Sequence, residues 1–151
     1  MGLEQDIKQQ RKFKNEHEKL LINILYTNGW LTEQQTQVFK PYDITGPQYN
    51  VLRILRGQYP NPCTVNLIID RMLDRSSNAS RIVDRLEKKA LVERKTCRTD
   101  RRAKDVVITQ KGLDLIVEID ATNSLWMKKL KNVSIADAEK VNEILDALRM
   151  E

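Results

Sequence analysis

Residues 76–109 hold the pattern that most narrows what this chain can build: an amphipathic stretch passes without a linker into two short β-branched runs that flank a cationic turn. In "SSNASRIVDRLEKKALVER", Ala79, Ile82, Val83, Leu86 and Ala90 share one apolar stripe at helical spacing. At about 100° per residue, Ser77, Arg81, Asp84 and Lys88 line the opposite side with Arg85 beside them. Ser76 or Ser77 is the expected start of this helix. "LVERKTC" and "DVVIT" then read as the two strands of a hairpin. The turn between them must be solvated, because several cations without partners are too costly to bury. Arg98, Arg101, Arg102 and Lys104 are therefore expected at the end of a two-stranded arm that directly follows a helix with a polar, basic outer face.

The charge of the chain is concentrated in the same place. Residues 71–104 hold 12 of the 26 Lys+Arg and 5 of the 21 Asp+Glu, a net +7, which leaves −2 for all the rest. Such an excess selects acidic partners, either nucleic acid or an acidic protein surface. The segment contains no Phe, Tyr or Trp. That counts against the reading of single-stranded RNA, which stacks bases on aromatic rings, and favours duplex DNA.

The flanks read as helix. Ile7, Phe13, His17, Leu20, Leu21, Ile24 and Leu25 fall mostly at three- and four-residue spacing, so the first forty residues are expected to be helical, with a break near "NGW" and a further short helix from Thr32 that ends before Pro41. In "DITGPQYNVLRILRG", Val51, Leu52 and Leu55 form a buried stripe, and in "TVNLIIDRML" Thr64 caps a helix with Leu67, Ile68 and Met72 turned inward. This helix and the one after Ser76 make a helix-turn-helix pair, whose second member suits the major groove of DNA. Beyond a cap at Thr109, Leu113, Ile116, Val117 and Ile119 continue in helical pattern, and a last helix begins at Ser134 with Ile135, Ala138, Val141, Ile144, Leu145 and Leu148 on one face.

"ITGPQYNVLRIL" and "SSNASRIVDRLEKKALVERKTCRTDRRAKDVVITQKG" together resemble the MarR-type winged helix-turn-helix transcription regulators over about residues 44–112. The combination of "DRLEKKALVER", an Asp-x-Arg in the wing and a following "IT..KG" carries the resemblance. It implies a mainly α fold with a small β-hairpin wing, in which residues 44–109 form the DNA-binding lobe and residues 1–40 and 110–151 supply dimerisation helices within a single subunit. It also implies a homodimer on a roughly palindromic duplex, acting as a repressor. Asp100 and Arg102 match the Asp-x-Arg motif, so the resemblance gives the aspartate the task of orienting the wing and the arginine that of entering the minor groove, with Arg101 at the variable middle position. Ala90 stands where the family often has glycine.

The chemistry of the residues agrees with this. Arg98, Arg101, Lys104 and Lys88 supply phosphate attraction, which gives affinity without sequence reading. Arg81 and Arg85 reach guanine edges in such an arrangement, Ser77, Asn78 and Ser80 reach phosphates or bases from the first helical turn, and Arg102 suits a narrow minor groove. The resemblance further implies release by a small aromatic or phenolic effector, for which His17, Trp30, Phe39, Tyr42 and Tyr49 are candidate pocket residues, with core or interface packing as the alternative for each. His17 sits on an apolar helical face, which makes a core or interface histidine the expected reading.

Other function classes find less support. No nucleophile, acid–base pair or phosphate-cradling glycine loop has convincing spacing, so an enzyme is not expected. Cys63 and Cys97 have no CxxC spacing, so neither a metal nor a cofactor is expected, and reduced thiols fit a cytoplasmic protein. The longest apolar run, "LLINILY", is far shorter than the roughly 20 residues that cross a bilayer. A basic winged RNA-binding module and a protein-interaction module remain the competing classes.

Overall fold

The computed structural model describes residues 2–96 and 104–150, without the side chains of residues 96, 104 and 123–129. The chain divides into two compact units, 1–46 and 47–151.

The first unit consists of α1 (Leu3–Asp6), α2 (Glu16–Phe39) and a 3-10 turn (Lys40–Tyr42). Residues 8–15 are not helical, contrary to the expectation from apolar spacing. Lys8, Arg11, Lys12 and Lys14 would repel one another at helical spacings of three and four, and Asn15 starts a new helix by accepting from the Glu18 backbone N–H at 2.9 Å. Glu18 in turn accepts from the Lys14 N–H at 2.7 Å, and Lys19 ties α1 to α2 through Glu4 at 2.7 Å. The expected break at "NGW" does not occur. A single Gly29 inside a helix costs only about 1 kcal/mol, and the ladder closes over it, with Thr32 donating to the Asn28 carbonyl at 2.9 Å. The helix stops instead before Pro41, which has no N–H to continue it.

The second unit is a winged helix-turn-helix followed by two further helices: α3 (Gly46–Gln58), β1 (Cys63–Thr64), α4 (Val65–Arg71), α5 (Ala79–Lys88), β2 (Val92–Thr96), β3 (Lys104–Ile108), α6 (Gln110–Leu130) and α7 (Ile135–Ala147). Val51, Leu52 and Leu55 of α3, Ile68 of α4, Val83 and Leu86 of α5, and Ile116 and Ile119 of α6 are fully buried or nearly so. The stripes read from the sequence on α3, α4 and α5, with Ile116 and Ile119 of α6, therefore form the core, while Val117 of α6 is exposed. Three caps also fall where expected, with Thr64 accepting from Leu67 N–H, Thr109 from Gly112 N–H and Ser134 from Asp137 N–H, each at 3.1 Å.

The sheet has three strands in the order β1-β3-β2, all antiparallel. The hairpin was expected; β1 was not, because two residues show no alternation. Val92 pairs with Ile108, Arg94 with Val106, and Cys63 with Val106, which puts these residues on one face. Cys63, Val92, Val106 and Ile108 are buried there. Among the described residues, no helix is long and apolar enough to cross a membrane.

α7 differs from every other long helix of this unit. None of its residues is buried: Ile135 is 80% exposed, Val141 50% and Ile144 44%, and Leu148 at its C-cap is 57% exposed.

Candidate nucleic-acid interface

The second helix of the helix-turn-helix begins at Ala79, later than expected. Asp74 takes both serines first, accepting from the Ser76 N–H at 2.9 Å, from Ser76 Oγ at 2.6 Å and from Ser77 Oγ at 2.8 Å. Those hydrogen bonds hold the Asp74 carboxyl below its ordinary range. Asn78 is then the cap, its Oδ1 accepting from the Arg81 N–H at 3.0 Å. Ser77 is consequently half-buried in the turn before α5, with its hydroxyl engaged, rather than on the helix.

Burial of Ala79, Val83 and Leu86 fixes how α5 is rotated. Ser80, Arg81, Arg85 and Lys88 are exposed on it, and Asn78 is exposed at its start. Asp84, read from periodicity as part of the same polar face, forms an ion pair with Arg94 of β2, Nη2 to Oδ1 at 2.6 Å. The same guanidinium reaches Glu87 through Nη1 at 2.8 Å. Arg94 was not singled out in the sequence, although a strand alternation that starts from buried Val92 puts it on the helix-facing side.

The helix ends in a left-handed residue. Ala90 has φ 58°, its N–H donates to the Glu87 carbonyl at 2.8 Å, and the Leu91 N–H donates to the Leu86 carbonyl at 3.0 Å. This is the Schellman arrangement, whose left-handed position glycine fills without strain. Ala90 therefore lies past the stripe to which the sequence assigned it, and is exposed. The departure from the family's usual glycine is a backbone matter.

Just beyond, four segments are locked together. Thr109 donates its hydroxyl to the Ala90 carbonyl at 2.8 Å and its N–H to the Leu91 carbonyl at 3.1 Å, and Lys111 Nζ donates to the Lys89 carbonyl at 2.9 Å. A Cβ on Gly112 would lie 2.3 Å from the Leu91 carbonyl oxygen and 2.7 Å from Ile108 Cγ1. Only glycine lets α6 start that close to β2 and β3.

The strands lead to the wing in register, Thr96 opposite Lys104. Arg98, Asp100, Arg101 and Arg102 lie outside the described residues, as does the Lys104 side chain.

The candidate pocket residues fall in both units. His17 is exposed in the first turn of α2, so the core reading of this histidine is corrected; its neighbours Leu20 and Leu21 are exposed as well. Trp30 is 37% exposed, Phe39 is buried and Tyr42 half-buried. Tyr49 belongs to a polar cluster between α3 and α6. It donates to Asp120, which also accepts from Arg56 at 2.8 Å, while Arg53 donates to Tyr49 Oη at 3.3 Å and stacks 5.8 Å from its ring centre. Burial alone would raise the Asp120 carboxyl, but the Tyr49 and Arg56 hydrogen bonds and the two guanidinium charges leave it below its ordinary range. Burial and the bond to Asp120 raise Tyr49.

This architecture has known counterparts. Residues 42–103 match the family model described as MarR family. The chain is similar to the MarR family over that stretch, 62 of its 151 residues. It is 26% identical over 129 residues to the HTH-type transcriptional regulator PapX of Escherichia coli, a match spanning 85% of this chain and 79% of that protein. Among solved structures, a mutant MarR from E. coli complexed with operator DNA shares the fold with a TM-score of 0.77 at 22% identity, over 93% of this chain and 100% of that one. The organohalide-sensing RdhR regulator in its 2,4-dichlorophenol-bound form shares it with a TM-score of 0.79 at 16% identity, over 93% and 86%. The relatives it matches are named as transcriptional regulators, and the chain shares the winged helix-turn-helix fold of these solved structures.

Proposed function

We propose that this protein is a MarR-type regulator that binds double-stranded DNA sequence-specifically, as a homodimer on a pseudo-palindromic operator, and represses transcription until a small-molecule effector releases it. The observation that carries the reading is the rotation of α5. Its apolar stripe is consumed by the core, so Arg81, Arg85 and Lys88 project as one exposed row, with Ser80 exposed to one side, from the helix that a winged helix-turn-helix inserts in the major groove. Arg81 and Arg85 take guanine edges, Lys88 takes a phosphate, and Ser80 with the Asn78 end of the helix approaches the backbone, where the helix dipole favours phosphate. Ser77, with its hydroxyl held by Asp74, contributes through its position in the turn. The wing roles follow the family motif: Asp100 orients Arg102 into the minor groove, and Arg98, Arg101 and Lys104 lie near phosphates.

Dimerisation is supported by the apolar surface that α7 leaves exposed, and by Leu20, Leu21, Leu25 and Tyr26 on α2. Effector release is supported by the likeness in fold to a regulator solved with 2,4-dichlorophenol. A small aromatic or phenolic molecule is the proposed class, with Trp30, Phe39 and Tyr42 as the proposed lining; His17, at the other end of α2, lies about 33 Å from Phe39 along the helix and is left out of that lining.

Selection of bound sequences from random duplexes by the purified protein tests this reading. A palindromic consensus is expected. Retention of RNA in preference to every duplex would favour the RNA-binding module, and the absence of any enriched sequence would favour the protein-interaction module.

A further inference from the structure

α5 carries a contradiction for a helix that approaches DNA. Alongside Arg81, Arg85 and Lys88 it bears Asp84 and Glu87, two carboxylates that repel phosphate and stand towards the carboxyl-terminal end of the helix, where the dipole is also unfavourable to them. Arg94 resolves it. Its two terminal nitrogens are divided between the two acids, Nη2 to Asp84 Oδ1 at 2.6 Å and Nη1 to Glu87 Oε2 at 2.8 Å, and its backbone N–H also donates to Glu87 Oε1 at 3.3 Å. The Arg94 side chain is 20% exposed, against 52% for Asp84 and 40% for Glu87.

The geometry points to Arg94 as a positioning residue for DNA binding, one that fixes the first wing strand against the reading helix and cancels the two carboxylates that helix carries. This rests on the DNA-binding reading above. Sheet register explains why this residue does it: Arg94 pairs with Val106 on the buried face, so its stem leaves β2 towards α5. The acids are three residues apart and so lie on the same side of the helix. A forked guanidinium spans them both, whereas a single ammonium is a point donor. Glu87 is held by side chain and backbone of the same residue, so the root of β2 cannot shift along α5 without breaking at least one of three charge-assisted bonds.

The test compares wild type, Arg94→Met, the double variant Asp84→Asn with Glu87→Gln, and the triple variant, on the selected operator and on a scrambled duplex at several salt concentrations, with helix content checked by circular dichroism. Arg94→Met should weaken operator binding about tenfold, by uncovering two negative charges and loosening β2. In the triple variant, scrambled-duplex binding should return to within about twofold of wild type, since the uncovered charges are gone. Its preference for operator over scrambled duplex should stay depressed, since nothing ties the strand. The double variant, which releases the Arg94 charge, should bind scrambled duplex more tightly than wild type while losing operator preference. A purely structural Arg94 would lower the melting temperature and leave this pattern of rescue absent.

If Arg94→Met does not keep its helix content, the double variant decides: an operator preference equal to that of wild type overturns the inference. A wild type that selects an operator which folded Arg94→Met binds equally well overturns this inference alone. A wild type that selects no duplex overturns the DNA-binding reading, and this inference with it.

Discussion

Around Thr109, the end of α5, the start of β2, the end of β3 and the start of α6 share hydrogen bonds and a glycine contact too close for any Cβ. Some 25 residues further on, α7 is just as regular and just as well capped, and has no fully buried residue. The two regions have similar local quality and opposite tertiary settings. The winged lobe buries the stripes through Val51, Ile68 and Val83 within itself, although Leu73 beside them stays 89% exposed, and its outward residues are free to be chosen for a partner. α7 was given an apolar stripe that the described part of its own unit leaves exposed, the surface on which the proposed homodimer rests.

That contrast can be broken first at the lobe junction. Gly112→Ala should destabilise the protein by about 3 kcal/mol, the upper end of overpacking costs, because the atoms it meets are a backbone oxygen and a buried isoleucine; urea unfolding measures it, and a loss below about 1 kcal/mol would mean the junction is loose. Next comes α7. Ile144→Asn combined with Leu148→Asn should weaken self-association about a hundredfold, as loss of two apolar anchors does, and should leave helix content unchanged; sedimentation equilibrium checks it. Equal self-association would place the subunit contact elsewhere.

A smaller effect of opposite sign is expected at the end of α5. Ala90→Gly should stabilise by about 1 kcal/mol, because the left-handed φ of 58° strains an L-residue and suits glycine. An unchanged or lower stability would show that the loss of chain entropy in glycine outweighs the relief.

The smallest effect is at the α3–α6 cluster. The Asp120 carboxyl lies below its ordinary range when folded, so its contribution is fully present above the unfolded-state value of about 4 and is lost as pH falls through the lower folded value. Asp120→Asn should remove that part of the acid-side decline in stability. The gain or loss should be modest, since the carboxylate is about one-third exposed and screened.

Much of the lobe was legible in the sequence because its signals are periodic. The stripes through Val51, Leu52 and Leu55 and through Ala79, Val83 and Leu86 repeat at helical spacing, and they settle which face of α5 looks outward. Caps were read correctly where one residue dominates, as at Thr64, Thr109 and Ser134, and incorrectly where several compete. Ser76 and Ser77 are good caps on propensity, and only the Asp74 carboxylate, two and three residues upstream of them, removes them. Composition misled at "NGW", where one glycine is too weak a breaker for a 24-residue helix. β1 and the role of Arg94 depend on partners seven or more residues away along the chain, and no local pattern reveals which strand edge or which acids will meet them.

The account centres on an α5 row that reads duplex DNA from two subunits at once. Hydroxyl-radical footprinting of the purified protein on its selected duplex tests that most directly. Protection should appear over two related half-sites whose centres lie about one helical turn apart, roughly 10 base pairs, and Arg85→Ala should erase both together. A single unsymmetrical patch at saturation, or two patches that survive Arg85→Ala undiminished, would contradict it.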